Sequence, residues 1–533
     1  MLMNVSFLKS LLLSGALAFT IPTFAQSPAK LKDNWQNLDL KTDSTFGIST
    51  EKAYNELLQG KKNVPVLVAV IDGGVDIEHE DLKKVIWVNP KEVAGNQKDD
   101  DKNGYIDDIH GWDFIGSATG DVHYDNTELT RIIRKYQVEF AGKDTTSLSG
   151  NSLDDYKTFQ KLNQELAMKQ TEANGSLQGI MGFKKALDSV LMKINKPEPT
   201  VADFDNFKPD AGLETRVRTV VLNLLPKFKD YDDFKAQVFD EGIAHYEAQV
   251  KYHYNLQFDP RSTVGDDYAN SSQRNYGNAD VTGPDADHGS HVAGIIGAVR
   301  DNNLGIKGVA GDVMIMPVRT VPDGDERDKD VANAIRYAAA NGAKVINMSF
   351  GKGYSWDKKA VDDAVKFAVS KDVLLVHAAG NDNLNLDTES NFPLATYENG
   401  GIAATWIEVG ASGAADDKTL KASFSNYGKS KVDVFAPGVD INSTIPGSKY
   451  ALHSGTSMAA PVVAGLAALI RSYYPELTAI QVKEIILKSV VPVTHTVVLK
   501  DGNNDKEVAF SELCKTGGIV NAYNALQLAS TYK

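Results

Sequence analysis

From Val64 to Ile71 the chain reads VPVLVAVI, a run without a charge or a polar side chain, and it stops at a carboxylate, Asp72. A strand with one face in water alternates apolar and polar residues, so an uninterrupted run must be covered on both faces, as the inner strands of a parallel sheet are. Comparable runs recur as VMIMPVR, KVINMSF, VLLVHAAG, IEVGA and VDVFAPG. Amphipathic helical stretches separate them: DKDVANAIRYAAANG sets Val331, Ile335 and Ala338 on one face and closes at Gly342, and DKKAVDDAVKFAVS does the same with Val361, Val365 and Ala368. This alternation predicts an α/β fold, doubly wound, with a mainly parallel sheet and helices on both faces. Ligands of such sheets bind beyond the carboxyl ends of the strands, where Asp72, Ser349 and Asn381 fall.

At 533 residues the chain exceeds what one core supports, since single cores stop growing at roughly 250–300 residues. The surplus lies between about 118 and 262, where apolar residues recur at helical spacing. Leu153, Tyr156, Phe159, Leu162 and Leu166 form one series; Ile180, Phe183, Leu187, Val190 and Ile194 a second; Leu213, Val217, Val220 and Leu224 a third. The expected organisation is a signal peptide at 1–25, a lead at 26–63, the α/β domain in two pieces at 64–117 and 263–533, and a helical insertion at 118–262. Lys9, the run LLLSGALAF and TFA before Gln26 have the layout of a secretory signal cleaved after Ala25, which implies export to a periplasm or beyond the cell. That run is too short to span a bilayer, which takes about 20 residues, and no later segment predicts a transmembrane helix. The lead reads as polar, with one amphipathic piece near EKAYNELLQG. A net charge of −14 argues against nucleic acid as a partner, because binding phosphates needs clustered Lys and Arg. Cys514 is the only cysteine, so there is no internal disulfide, and stability must come from the core and from metal.

Three stretches hold the parts of a serine-hydrolase site in the order Asp, His, Ser: Asp72 in VAVIDGGVD, His288 in DADHGSHVAG and Ser457 in SGTSMAAPVVAG. Each has an ordinary alternative. An Asp ending a strand forms turns, two histidines at i and i+3 could ligate a metal, and a Ser before an apolar helix is an N-cap. No third ligand pattern accompanies the histidines. With Asn381 in HAAGNDN as a fourth element, the chain resembles the subtilase family of serine peptidases, over about 64 to 117 and 280 to 523. The resemblance implies an exported endopeptidase acting on polypeptides without an organic cofactor. It makes Ser457 the nucleophile, His288 the general base, Asp72 the residue that orients it, His291 structural, and Asn381 an oxyanion donor beside the Ser457 N–H. Ser349, Phe350 and Gly351, with Ala379 and Gly380, resemble segments that pair with an extended substrate. Two departures stand out. Gly73 occupies a position where the family usually has Ser or Thr, which removes a hydroxyl that could hydrogen-bond the carboxylate. The lead is too small to resemble the inhibitory prodomain many subtilases carry.

A second signal lies in DDDKNGYIDDIHGWDF. Asp99, Asp101 and Asn103 alternate, Gly104 permits a sharp turn, Tyr105 offers a main-chain carbonyl, and Asp107 and Asp108 follow. Hard oxygen donors at this spacing match the front of a calcium-binding loop, although His110 stands where an EF-hand has its glutamate. A structural calcium ion is the expected cofactor.

Overall fold

The computed structural model describes residues 31–210, 212–500 and 504–532; the expected signal peptide lies outside them. The chain divides into two compact units. Among the described residues one is Leu129–Phe258, and the other joins the residues from 31 to Glu128 to those from Asp259 on.

The larger unit is built on a nine-stranded sheet. Its strands are β1 (Val66–Asp72), β2 (Trp112–Asp113), β3 (Val313–Arg319), β4 (Val345–Met348), β5 (Leu374–Ala378), β6 (Trp406–Ser412), β7 (Val434–Pro437), β8 (Val491–Pro492) and β9 (Gly518–Ile519). Their order is β8-β9-β7-β6-β5-β4-β1-β3-β2. Every pairing is parallel except that of β8 with β9 at one edge. The chain builds β3 on one side of β1 and then crosses to place β4 on the other, so the order reverses around β1, the place where sheets of this kind bind ligands beyond the carboxyl ends of their strands.

The apolar run sorts itself by the strand's two-residue period. Val66, Val68 and Val70 face one way, against α1 (Asp287–Gly297) and the apolar side chains of Met458 to Ile470. Leu67, Ala69 and Ile71 face the other, against α2 (Asp328–Ala340) and α3 (Lys358–Ser370). The segment from Met458 belongs to α4 (Thr456–Tyr473), buried on nearly all sides. The faces assigned to α2 and α3 by periodicity are those in the core, with Val331, Ile335 and Ala338, and Val361, Val365 and Ala368, all buried.

The lead departs from its polar reading. Trp35, Phe46, Ile48, Ala53 and Leu58 are buried. Trp35 Nε1 donates to the Asp440 carbonyl at 3.2 Å, Ala522 N to the Ile48 carbonyl at 2.7 Å, and Asn521 Nδ2 to Ser49 Oγ at 2.8 Å. Its apolar residues are too widely spaced to show a period, because the segment crosses the surface in short turns and inserts single side chains.

In the smaller unit, two of the expected helical series form one helix of 44 residues, Asn151–Ile194. Its Ile180, Phe183, Leu187 and Val190 pack with Val217, Val221 and Leu224 of the helix Leu213–Leu224 and with Phe234, Phe239 and Tyr246. Among the described residues no helix is long and apolar enough to cross a membrane.

Trp35 is 1% exposed. Trp35→Ala is expected to cost about 3–5 kcal/mol, the range for emptying a buried aromatic site, read as a lower denaturant midpoint; an unchanged midpoint would show the lead to be peripheral.

Candidate active site

Asp72 closes β1 and is 2% exposed. Its Oδ1 accepts from Gly73 N at 2.7 Å and faces His288 Nδ1 at 2.8 Å. The carboxylate therefore holds the ring proton on Nδ1 and leaves Nε2 with its lone pair free to act as a base. Gly289 lets the two meet: a Cβ there would stand 2.1 Å from the Gly74 carbonyl and 3.1 Å from Asp72 Cβ, so α1 docks onto the end of β1 only with glycine next to the histidine. At Gly73 a Cβ would lie 3.1 Å from the Val321 carbonyl, which leaves little room for the side chain that the family pattern has. In keeping with the missing hydroxyl, Asp72 Oδ2 is buried and without a hydrogen-bond partner.

Burial by itself would lower the His288 pKa, but the charge of Asp72 and its hydrogen bond outweigh it and hold the imidazole above its usual 6.5. His291 behaves differently. Its Nε2 lies 3.0 Å from both the Ile441 and Ala451 carbonyls, and its ring stacks on His453 with centroids 4.1 Å apart. Burial pushes these two imidazoles down to about 3 and about 2, so both are neutral in the folded protein. His453 reaches toward Asp287 at 3.3 Å and carried no signal in the sequence, being far along the chain from His291.

Ser457 is the second residue of α4. Its hydroxyl donates to the Ser349 carbonyl at 3.1 Å, while Ser349 Oγ donates to the Ser457 carbonyl at 2.9 Å. This reciprocal pair ties the N-terminus of α4 to the end of β4. Thr456, which sequence reasoning passed over, sets the direction of Asn381. Its N and Oγ1 both donate to Asn381 Oδ1, at 2.9 and 3.0 Å, and the same Oγ1 accepts from Gly380 N at 3.0 Å. With its oxygen occupied by Thr456, the Asn381 amide has its Nδ2 left to donate. The point where a Cβ on Gly455 would stand is 3.5 Å from that Nδ2, 3.8 Å from Oδ1 of the same amide and 3.6 Å from Ser457 N, so the Asn381 amide and the Ser457 N–H border one small space.

The five residues expected to pair with substrate separate into two groups. Phe350 and Gly351 follow β4, Phe350 with its side chain buried, and they make no main-chain hydrogen bond among the described residues. Ala379 and Gly380 are corrected to a wall of the site. Ala379 N donates to the Val409 carbonyl and Gly380 N to Thr456, while both carbonyls accept from Asn426, so their main-chain groups are already used.

The acidic loop also divides. Glu92, Asp99 and Asp101 each offer an oxygen within 4.8 Å of the others, and Glu92 Oε2 is buried with no hydrogen-bond partner. Asn103 is adjacent, its N–H donating to both aspartates at 3.0 Å. Asp107 and Asp108 fall outside this cluster and have their carboxylates engaged by protein donors, which corrects their reading as ligands. Asp107 accepts from the main chain of Gly95 and Gln97, and Asp108 from Asn89, Asn103 and the Tyr337 hydroxyl. Burial raises Asp108 to about 6 despite those donors. The Tyr105 ring packs on Trp112, Phe114 and Tyr337. Glu92 lies outside the acidic run and had no spacing to mark it.

Comparison with known proteins bears on this site. The model of the subtilase family matches residues 231–513, more than half of the chain, a span that holds His288, Asn381 and Ser457 but not Asp72. The chain belongs to the subtilase family. It is similar to the thermophilic serine proteinase of Bacillus sp. (strain AK1), 47% identical over 35% of this chain and 42% of that one. It is similar to subtilisin E of Bacillus subtilis (strain 168), 38% identical over 37% of this chain and 49% of that one. With subtilisin DY of Bacillus licheniformis the identity is 35% over 47% of this chain and 80% of that one. A solved chain described as proteases from Pseudoalteromonas arctica PAMC 21717 is 28% identical over 49% of this chain and 81% of that one, with a TM-score of 0.39. The chain spans about half the length of the first two curated relatives.

The stacked imidazoles make a prediction specific to this subtilase. A group whose folded pKa is depressed contributes stability above its unfolded value and loses it as pH falls, so His291 and His453 should weaken the fold from about pH 6.5 downward. His453→Phe keeps a ring to stack on and removes one titration. The loss in urea midpoint between about pH 7 and pH 4.5 should then be smaller than in the wild type, and an equal loss would refute the account.

Proposed function

We propose that this subtilase is a serine endopeptidase that cleaves polypeptides through an acyl-enzyme. The observation that carries the reading is the 2.8 Å hydrogen bond between Asp72 Oδ1 and His288 Nδ1, which orients a base. Ser457 Oγ exchanges the Ser349 carbonyl for His288 Nε2 as partner and attacks the scissile carbonyl carbon, and its proton passes to Nε2. The imidazolium so formed is stabilised by Asp72. The carbonyl oxygen, now an anion, is held by Asn381 Nδ2 and Ser457 N, aided by the N-terminus of α4. Nε2 then returns the proton to the leaving amine, and water repeats the sequence on the ester. The substrate lies extended along Phe350 and Gly351. Residues 1–25 direct export, to a periplasm or the exterior, and the peptidase domain is interrupted by the helical unit.

A structural calcium ion fits the loop after Asp72. Glu92, Asp99 and Asp101 would hold it, with their hard oxygen donors matched to that ion and the unpartnered Glu92 Oε2 among them. Bound, it would join the stretch at 92 to that at 99–101 in a chain that has no disulfide.

Fluorophosphonate should label the wild type and leave Ser457→Ala unlabelled; no labelling of either would indicate a binding protein on a peptidase fold. Asn381→Ala should lower kcat by about 100- to 1,000-fold, the range that follows removal of one side-chain donor from an oxyanion hole of the subtilisin type. Gly455→Ala, at an extended φ of 169 that any residue adopts, should fold normally and lower kcat by filling the space between the donors. Because the base must be neutral, kcat/KM should fall with decreasing pH through the raised His288 value, and Asp72→Asn should move that limb downward.

Chelation should lower the melting temperature, and added calcium should restore it. In Glu92→Gln with Asp99→Asn, chelation should change nothing; a wild type indifferent to chelation would exclude the ion.

A further inference from the structure

We propose that Asn426 is the positioning residue of the oxyanion donor, an inference that rests on reading Asn381 as that donor. Asn426 lies between β6 and β7 and is 1% exposed. Its side-chain amide and its main-chain N–H all bond to one short loop, residues 379–384. Before Asn381, its Nδ2 donates to the Ala379 carbonyl at 2.8 Å and its main-chain N to the Gly380 carbonyl at 2.9 Å. After Asn381, its Oδ1 accepts from Asp382 N at 3.1 Å and from Leu384 N at 2.8 Å. The loop is thus bracketed on both sides of the residue whose amide faces the reacting carbonyl.

The need for a bracket follows from the surroundings of Asn381. That side chain is exposed, and its one fixed point is the Oδ1 that accepts from Thr456. An amide held at one atom can swing about it unless the main chain beneath is immobile. Its Nδ2 must lie within about 2.7–3.1 Å of an oxygen that becomes an anion only during the reaction. A buried asparagine is costly unless its polar atoms are bonded, and here they are bonded to this loop. Asn426 is itself anchored to β6 through Ser425, whose Oγ accepts from Ala411 N at 2.9 Å and donates to the Asn426 carbonyl at 2.9 Å. The rigid frame for the loop is therefore the sheet. Asn426 touches neither substrate nor reacting atoms and acts through Asn381.

The test is a double-mutant cycle on peptide hydrolysis, with Asn426→Asp and Asn426→Ala made alone and in an Asn381→Ala background. Asn426→Asp keeps the shape and the Oδ1 acceptor but replaces the donor to the Ala379 carbonyl, so it carries the test if Asn426→Ala melts below the assay temperature. In the wild-type background, kcat should fall by about 10- to 100-fold, less than the loss of the donor itself, with KM changed by less than about twofold. Once Asn381 is alanine, the same substitutions should cost less than about threefold, because residues acting as a unit are not additive. Losses that multiply, or a folded Asn426 variant with wild-type kcat, would overturn the role. Fluorophosphonate labelling of the wild type separates the two readings. Without labelling the peptidase reading falls and this inference with it, whereas labelling with multiplicative losses removes the role of Asn426 alone.

Discussion

Helix α4 can lie only in the middle of the larger unit, because from Met458 to Ile470 it offers water no polar face. Burying that cylinder against β1 and β4 to β7 is the constraint on which the rest depends. Its N-terminus must emerge where the strands end, so Ser457 arrives at the crevice with the positive end of the helix behind it. The parallel strands supply the remaining groups at the same level. Asp72 closes β1, Ser349 follows β4 and Asn381 follows β5. The apolar packing sets these positions, and a change in the depth of α4 would move Ser457 relative to Asp72, Ser349 and Asn381.

Packing does not aim side chains to the accuracy that catalysis needs, and a layer of buried polar residues completes the task. Thr456 occupies the oxygen of Asn381, Ser349 and Ser457 lock helix to strand, and Asn426 holds the loop around Asn381. Each satisfies its own polar atoms while restricting a neighbour, the arrangement in which a buried hydrogen-bond network stabilises rather than costs. Asp72 Oδ2, beside Gly73, is an exception, an acceptor without a donor.

Legibility in the sequence followed the range of the signal. Strand runs and helical faces are local patterns, and the sheet, α2, α3 and the helical unit could be read from them. Asp72, His288, Asn381 and Ser457 were legible because each lies in a short distinctive motif. Thr456 lay inside one such motif and was still missed, since its role depends on a residue at the end of another strand. His453, Glu92 and Asn426 were invisible for the same reason, and Asp107 and Asp108 were misread because spacing says which residues are near in the chain and not where their carboxylates turn. The lead was misjudged because its buried residues are single insertions without a period.

By itself the sequence determined which segments had to be covered by others, where each strand had to end, and which four side chains had chemistry to offer. These follow from periodicity and from motifs that act over a few residues. Only the tertiary structure decided that Asp72 meets His288 across a glycine contact, that the Asn381 amide and the Ser457 N–H border one space at Gly455, and that the main-chain groups of Ala379 and Gly380 are already engaged. Those outcomes depend on distances between atoms far apart along the chain, 47 residues for Ala379 and Asn426 and 216 for Asp72 and His288, and such distances exist only after the core has closed.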